Sequence, residues 1–333
     1  GVPEYRFTSF ENRSSMAVKY ICNQTFLTRS CYSILNKSGV SMHNLFSFLI
    51  VGSIFSCGGK TLEEEDSDEI NCPMTMNLLY GETYSPSVVR LYFTLRDCNE
   101  NGVVGKSESN FTVFEDDSEI SVFESEQQLI PSSLGFDIKN LLLLDMSGSI
   151  VESGNLPSLQ SAATSFVESL TEQEVAIYVF DGQQSIQQIV DFTDDTNALT
   201  AGISSLDNYT VADNSTNLNG AVLAGLNVLD SESTQSTSSI FEGSLTIFTD
   251  GSDQAAWNSN AEAVTAVNSS AHSVYSIGLG GEVDQGHINS LGEDGSWTAD
   301  DVSDLEEVFT SLSSVIMDKA NSLYILAYCS PKR

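Results

Sequence analysis

The chain has 333 residues, enough for one large domain and a smaller one, and its 41% hydrophobic content excludes a wholly disordered protein. It carries 46 acidic and 13 basic residues, a formal net charge of -33. Between Lys139 and Lys319 there is no Lys or Arg but there are 27 Asp and Glu. This distribution excludes a nucleic-acid or phosphate-binding surface, which needs basic side chains. It predicts a solvated acidic shell, with a surface selected for cations or a basic partner as the alternative.

The N-terminal part divides into two segments. Residues 1–41 have mixed composition without clear periodicity, and no function is assigned to them. Residues 42–57 contain an apolar stretch from Leu45 to Phe55, too short to span a bilayer but of signal-peptide length. The stretch ends in Ile-Phe-Ser-Cys at Cys57, which resembles the lipobox of bacterial lipoproteins. The resemblance implies export and lipid attachment at Cys57, which anchors the protein to the bacterial outer membrane or cell surface. A buried strand or helix of a longer domain is the alternative.

An acidic segment and a β-rich segment follow. Residues 58–71 include six carboxylates between Glu63 and Glu69, a composition that cannot bury a core and predicts a flexible tether. Residues 72–135 contain a β-branched and aromatic run from Ser87 to Asp97, followed by two alternating apolar and polar segments. This pattern predicts a small β-sandwich, immunoglobulin-like or hybrid-type, with a structural role.

From residue 136 to 322 the pattern changes to strands alternating with helices. Short, nearly continuous apolar runs predict strands covered on both faces, at Leu141–Leu144, Val175–Phe180, Leu245–Phe248 and Val274–Ile277. Apolar stripes at helical spacing begin at Leu156, Leu218 and Leu305. The mixed segment Ser185–Phe192 predicts a less buried edge strand. Together these elements predict an α/β fold with a doubly wound, mostly parallel sheet flanked by helices, similar to a Rossmann fold.

Oxygen-bearing side chains follow the predicted strands of this region or precede its helices. They are Asp145, Ser147, Ser149, Thr216 and Asp250. Ligands of such sheets bind at the carboxyl ends of the strands, so these side chains are expected to converge. A set without His or Cys favours a hard cation, Mg²⁺ first, with Mn²⁺ or Ca²⁺ as alternatives. Because only two of the five are charged, a bound ion keeps Lewis acidity for an outside carboxylate.

Two further acids lie close to these five residues in the sequence. Asp213 and Asp253 flank the site and are candidates to hydrogen-bond to the metal ligands or to hold an auxiliary ion, with loop capping as the alternative. No nucleophile–base pair accompanies the two site aspartates, so no enzymatic activity is predicted.

The five residues match the pattern Asp-x-Ser-x-Ser, then Thr, then Asp, of the metal-ion-dependent adhesion site. Residues 137–322 therefore resemble the von Willebrand factor type A domain. The resemblance implies metal-dependent, adhesion-type binding of a protein or matrix ligand that offers a carboxylate. A docking subunit of a larger assembly is the alternative function, and a metal-assisted hydrolase is the third.

The family resemblance also bears on the C-terminal residues 323–333. In several members the A domain is inserted in a β-sandwich, which implies that Tyr324 to Tyr328 form a strand returning to that sandwich. Cys329 is then a candidate to form a disulfide with Cys98 or Cys72. A short, truncated tail with a free thiol is the alternative.

Overall fold

The computed structural model describes residues 74–331 except 171, 172, 238 and 239, together with the backbone of three earlier strands. The chain divides into two compact units. The first comprises Gly1–Ser132 and Asn321–Arg333, and the second comprises Ser133–Ala320.

Strands occur in both units. In the first unit they are β1 Glu4–Ser9, β2 Ser15–Tyr20, β3 Phe48–Ile50, β4 Thr75–Tyr84, β5 Val88–Arg96, β6 Phe111–Glu115, β7 Ser118–Ile120 and β8 Gln128–Ile130. In the second unit they are β9 Phe136–Asp145, β10 Glu174–Phe180, β11 Gln187–Thr193, β12 Ile240–Thr249, β13 Ser273–Leu279 and β14 Gly295–Ala299. The last strand, β15 Leu323–Cys329, belongs to the first unit. The α-helices are α1 Gly148–Ser153, α2 Leu156–Ser169, α3 Thr196–Ser205, α4 Leu218–Gln235, α5 Asn260–Ser269, α6 Gln285–Leu291 and α7 Leu305–Asn321.

The first unit contains two sheets with a common core. One has the strand order β4-β5-β15-β8 and the other β3-β1-β2-β6-β7. Side chains of both sheets join one buried cluster, in which the ring centroids of Phe93 and Phe111 lie 5.5 Å apart. The sandwich thus includes strands from outside residues 72–135. Within that segment, β6 and β7 form only a short two-stranded ribbon, which needs further strands for stability.

The predicted export signal and tether fall mostly outside the described residues. Within 42–57 only Phe48–Ile50 is described, as a strand that pairs antiparallel with β1. Cys57 and residues 58–71 lie outside the described part, so the predicted lipid attachment and tether stay predictions. No helix in the described part of the chain is long and apolar enough to cross a membrane.

The candidate disulfide between Cys98 and Cys329 is wrong. Cys98 takes part in a disulfide, but Cys329 is a free cysteine. The antiparallel register places Cys329 opposite Val88 at the start of β5, whereas Cys98 follows the other end of that strand, beyond Arg96. A strand of nine residues spans about 30 Å, and the Cα atoms of bridged cysteines lie within about 7 Å of each other.

The second unit has the predicted α/β architecture. Its sheet order is β11-β10-β9-β12-β13-β14. All neighbouring pairs are parallel except β10 and β11, which are antiparallel. The strand β11 lies at the edge of the sheet and is only partly buried, as its mixed sequence predicts. The prediction of a doubly wound, mostly parallel sheet is confirmed.

Helices cover both faces of this sheet because the apolar runs of its central strands are nearly continuous, and successive side chains point to opposite faces. Leu142 and Leu144 of β9 join a buried cluster with α2, α3 and α7, whereas Leu141 and Leu143 join a second cluster with α4, α5 and α6. All four leucines are fully buried. A strand held from both sides in this way provides a rigid support for the residue that ends it, Asp145.

Candidate metal centre

The first motif follows directly from the end of β9. Asp145 is the last residue of the strand and is fully buried. The backbone N–H of Ser147, the residue preceding α1, donates to Asp145 Oδ1 at 2.9 Å. The hydroxyl oxygens of Ser147 and Ser149 lie 3.2 Å apart. The tight turn between strand and helix therefore places one carboxylate and two hydroxyls side by side.

The parallel pairing of β12 with β9 adds the second carboxylate. Phe248 pairs with Leu144, so the end of β12 lies beside the end of β9. The Thr249 hydroxyl donates to Asp145 Oδ2 at 2.6 Å, and the Ser149 hydroxyl donates to Asp250 Oδ1 at 2.6 Å. Asp250 is thus in contact with Ser149, which lies 101 residues earlier in the chain.

Thr216 reaches the site from the loop before α4. It is buried, and its carbonyl accepts hydrogen bonds from the backbone N–H of Gln254 at 2.9 Å and of Ala255 at 3.0 Å. A side-chain carbon placed on Gly251 would lie 3.5 Å from Thr216 Oγ1. The threonine hydroxyl therefore adjoins the residue that follows Asp250. Contacts thus link Asp145, Ser147, Ser149 and Asp250 at the carboxyl edge of the sheet, and Thr216 lies beside Gly251.

In the part of the chain that the structure describes, neither carboxylate of the site pairs with a basic side chain. Burial raises the pKa of Asp145 to about 7, although hydrogen bonds from Thr249 and Ser147 act to lower it. Burial also raises the pKa of Asp250, against the opposing hydrogen bond from Ser149. The sequence has no Lys or Arg between Lys139 and Lys319, and Lys139 pairs with Glu174 and Glu232, six residues before Asp145 along β9.

The donor set fits a hard divalent cation. Two carboxylates and three hydroxyls are oxygen ligands of the kind that Mg²⁺, Mn²⁺ and Ca²⁺ prefer. In the described part of the chain no group of three or more His, Cys, Asp or Glu side chains is arranged to hold a metal. The five-residue centre thus combines two ionisable ligands with neutral hydroxyls. A bound cation would replace the missing basic partner of Asp145 and Asp250.

The two flanking acids make loop-capping contacts. Asp213 accepts hydrogen bonds from the Ser215 backbone N–H at 2.9 Å and hydroxyl at 2.8 Å, which lower its pKa. Asp253 accepts from the backbone N–H of Asn219 at 3.0 Å and of Ala256 at 3.1 Å. The Asp213 contacts lie in the loop before Thr216, and the Asp253 contacts join the first turn of α4 to the loop after β12. A role for either carboxylate toward a metal ligand or an auxiliary ion stays a prediction.

Asp181 belongs to the same sheet edge and was not predicted from the sequence. It directly follows β10, and only 2% of its surface is exposed. Its carboxylate accepts hydrogen bonds from Gln183, Tyr209, Ala212 and Asp213. Its position could have identified it, because Asp181 stands at the end of a buried parallel strand, as Asp145 does. No other part of the adhesion-site pattern marks it.

The comparisons with known proteins come from a family model and from solved structures. Residues 141–252 match the model of the von Willebrand factor type A domain. No curated protein sequence matches the chain. One similar structure is a von Willebrand factor type A protein from Catenulispora acidiphila, with 12% identity and a TM-score of 0.46; the match covers 73% of this chain and 49% of that one. A second is BatB from Bacteroides thetaiotaomicron, with 16% identity and a TM-score of 0.45; the match covers 56% of this chain and 100% of that one. A third is proximal thread matrix protein 1 from the mussel byssus with a zinc-occupied MIDAS motif, with 11% identity and a TM-score of 0.44; the match covers 62% of this chain and 50% of that one. The chain spans about half the length of the first of these structures.

Proposed function

We propose that the second unit, in which residues 141–252 match the model of the von Willebrand factor type A domain, holds a divalent cation and binds a protein or matrix ligand through a carboxylate of that ligand. Mg²⁺ is the preferred ion, with Mn²⁺ and Ca²⁺ as alternatives. The observation that carries the proposal is the pair of carboxylates at the end of β9 and β12. Asp145 accepts a hydrogen bond from Thr249, and Asp250 accepts one from Ser149. The sequence between Lys139 and Lys319 contains no Lys or Arg.

The five residues divide into two roles. Asp145 and Asp250 supply negative charge, and Ser147, Ser149 and Thr216 supply neutral oxygen. When bound, the cation would supply Lewis acidity toward an outside carboxylate, because three of its five ligands are neutral hydroxyls. Ser149 is exposed and Asp250 is half-buried, whereas the other three are buried. The ligand therefore approaches the site from the side of Ser149 and Asp250.

The setting of this activity is part of the proposal. We place the protein at the bacterial outer membrane or cell surface, attached through lipid on Cys57, where adhesion to a protein or matrix would occur. With a net charge of -33 the chain repels an acidic ligand. Binding therefore needs salt screening or basic residues around the ligand's carboxylate. No enzymatic reaction is proposed.

Isothermal titration of Mg²⁺ into the full chain tests the cation site. Wild type is expected to bind about one equivalent of Mg²⁺ saturably, and Asp145→Asn, which keeps the shape of the side chain but removes its charge, is expected to lose this binding. Asp191→Asn is the matched control, because Asp191 is an exposed aspartate on β11 and its loss should leave the titration unchanged. Equal binding by wild type and both variants would show that the ion only decorates an acidic surface, and a docking role without metal would then take the lead.

A further inference from the structure

The Asp181 carboxylate lies under the loop that carries Thr216. In the parallel register of β9 and β10, Phe180 pairs with Asp145, so Asp181 directly follows the residue beside the metal centre. Its Oδ2 atom accepts from the backbone N–H of Ala212 at 2.8 Å, and from that of Asp213 at 3.3 Å.

Asp181 makes further hydrogen bonds, both to the loop that carries Thr216 and to the turn that follows β10. The Tyr209 hydroxyl donates to Asp181 Oδ2 at 3.1 Å, and the Gln183 backbone N–H donates to Oδ1 at 2.8 Å. The Asp181 carbonyl accepts from the backbone N–H of Asn217 at 3.0 Å. One residue therefore holds the loop at 209, at 212–213 and at 217, and Thr216 lies between the last two attachments.

Only a carboxylate satisfies this set of donors. An ionised aspartate has two acceptor oxygens and no hydrogen to donate, so it accepts from all four donors at once. An asparagine would turn its NH₂ group either toward the Gln183 N–H or toward the donors of the loop. Burial, together with the nearby charge of Asp181, raises the pKa of Tyr209, which keeps that hydroxyl protonated as a donor.

We infer that Asp181 is a positioning residue for the cation site. Its carboxylate fixes the loop at 209 and 212–213, and its backbone carbonyl fixes the loop at 217. Thr216 is thereby held next to Gly251, although Asp181 is not itself one of the five ligands. The inference rests on the proposed function, because it assigns Asp181 a role in cation affinity through Thr216. Residues that orient metal ligands from outside typically contribute about 10- to 100-fold to metal affinity.

The experiment compares Asp181→Asn with a matched substitution elsewhere in the domain. Asp195→Asn is the control, since Asp195 also accepts from two backbone N–H groups, those of Asn197 and Ala198, but does so at the start of α3. Hydrogen exchange is measured on the metal-free full chain, and the Mg²⁺ dissociation constant is measured by calorimetry. Asp181→Asn is expected to speed exchange at the amides of Ala212 and Asp213 and to weaken Mg²⁺ binding about 10-fold or more. Saturating Mg²⁺ is expected to restore slow exchange at these amides, and the control should change neither quantity.

A second variant keeps the inference testable if Asp181→Asn does not fold. Tyr209→Phe removes one of the four donors to the carboxylate and is expected to weaken Mg²⁺ binding about two- to fivefold, a fraction of the effect expected when the shared acceptor is changed. Faster exchange with an unchanged Mg²⁺ dissociation constant in Asp181→Asn would overturn the inference and leave Asp181 a purely structural residue. If Asp181→Asn does not fold, unchanged affinity in Tyr209→Phe would overturn it equally. A wild-type chain that binds no Mg²⁺ would refute the proposed function itself, a result distinct from either of these.

Discussion

Replacing Thr249 by valine should destabilise the ionised form of Asp145 and leave its protonated form less affected. The Thr249 hydroxyl donates to Asp145 Oδ2 at 2.6 Å, and both residues are fully buried. Valine has nearly the same shape and the same β-branching, so it keeps the strand conformation of β12 while removing only the hydroxyl. The substitution removes the charge-assisted hydrogen bond to Asp145 and also the bond that the hydroxyl accepts from the Gly251 backbone N–H at 3.2 Å. Only the first of these two losses depends on the charge of Asp145, and therefore on pH.

The size and sign of the effect follow from the pKa of Asp145. Burial raises this pKa from its ordinary value of 3.8 to about 7. A raised folded-state pKa means that the contribution of Asp145 to stability is fully present below pH 4 and is lost as the pH rises toward 7. The whole change corresponds to about 4 kcal/mol. A hydrogen bond to a charged group contributes about 1.5–3 kcal/mol, so Thr249→Val should cost about 1 kcal/mol near pH 5 and about 2–3 kcal/mol near pH 8.

The assay is chemical denaturation of the metal-free protein, with chelator present, at these two pH values. Thr246→Val is the matched control, because Thr246 is a buried threonine of the same strand whose hydroxyl has no hydrogen-bond partner. Its replacement should be neutral or stabilising and independent of pH. An equal cost of Thr249→Val at both pH values would refute the reasoning that its hydroxyl supports a buried negative charge.

Three further predictions concern the loops and helices around the metal centre. Ser149→Ala removes an exposed hydroxyl that donates to Asp250, so calorimetry should show about 10-fold weaker Mg²⁺ binding with little change in the free energy of unfolding. Gly182→Ala should destabilise the second unit by about 1–3 kcal/mol in thermal unfolding, because its methyl group would overlap the Ser215 hydroxyl; an unchanged midpoint would contradict the packing of this loop. Burial lowers the pKa of His287, so its contribution to stability is present above pH 6.5 and is lost as the pH falls through the lowered pKa. His287→Gln should therefore reduce the loss of thermal stability at acidic pH.

The strands, helices and carboxyl sheet edge of the second unit could be predicted, because each is marked by a local sequence pattern. The continuous leucines of β9 identify a strand covered on both faces, and Asp145 directly after them marks the carboxyl edge of the sheet. Helices begin at Leu156, Leu218 and Leu305, where the apolar stripes begin. The site residues follow from these boundaries, because parallel strands bring their carboxyl ends to one edge.

The contacts that were missed depend on long-range pairing, which local patterns do not encode. The strand register that separates Cys98 from Cys329 is set by the pairing of β5 with β15, across more than 200 residues of chain. The strands β1 to β3 join the sheet of β6 and β7 through the pairing of β2 with β6, which lie far apart in the sequence. Asp181 and Asp145 both stand at the end of a strand. The contacts of Asp181, however, depend on the fold of the 209–217 loop, whose sequence has no periodic pattern.

Binding of a carboxylate through the cation is the central claim, and the ¹³C relaxation of acetate in the presence of the Mn²⁺-loaded chain tests it most directly. Mn²⁺ in the wild-type site is expected to speed relaxation of the acetate carboxyl carbon strongly. Asp145→Asn at the same Mn²⁺ concentration should abolish most of this effect, and Asp191→Asn should not. Equal relaxation with wild type and Asp145→Asn would contradict the account, because acetate would then be meeting Mn²⁺ scattered over the acidic surface and not at the five-residue centre.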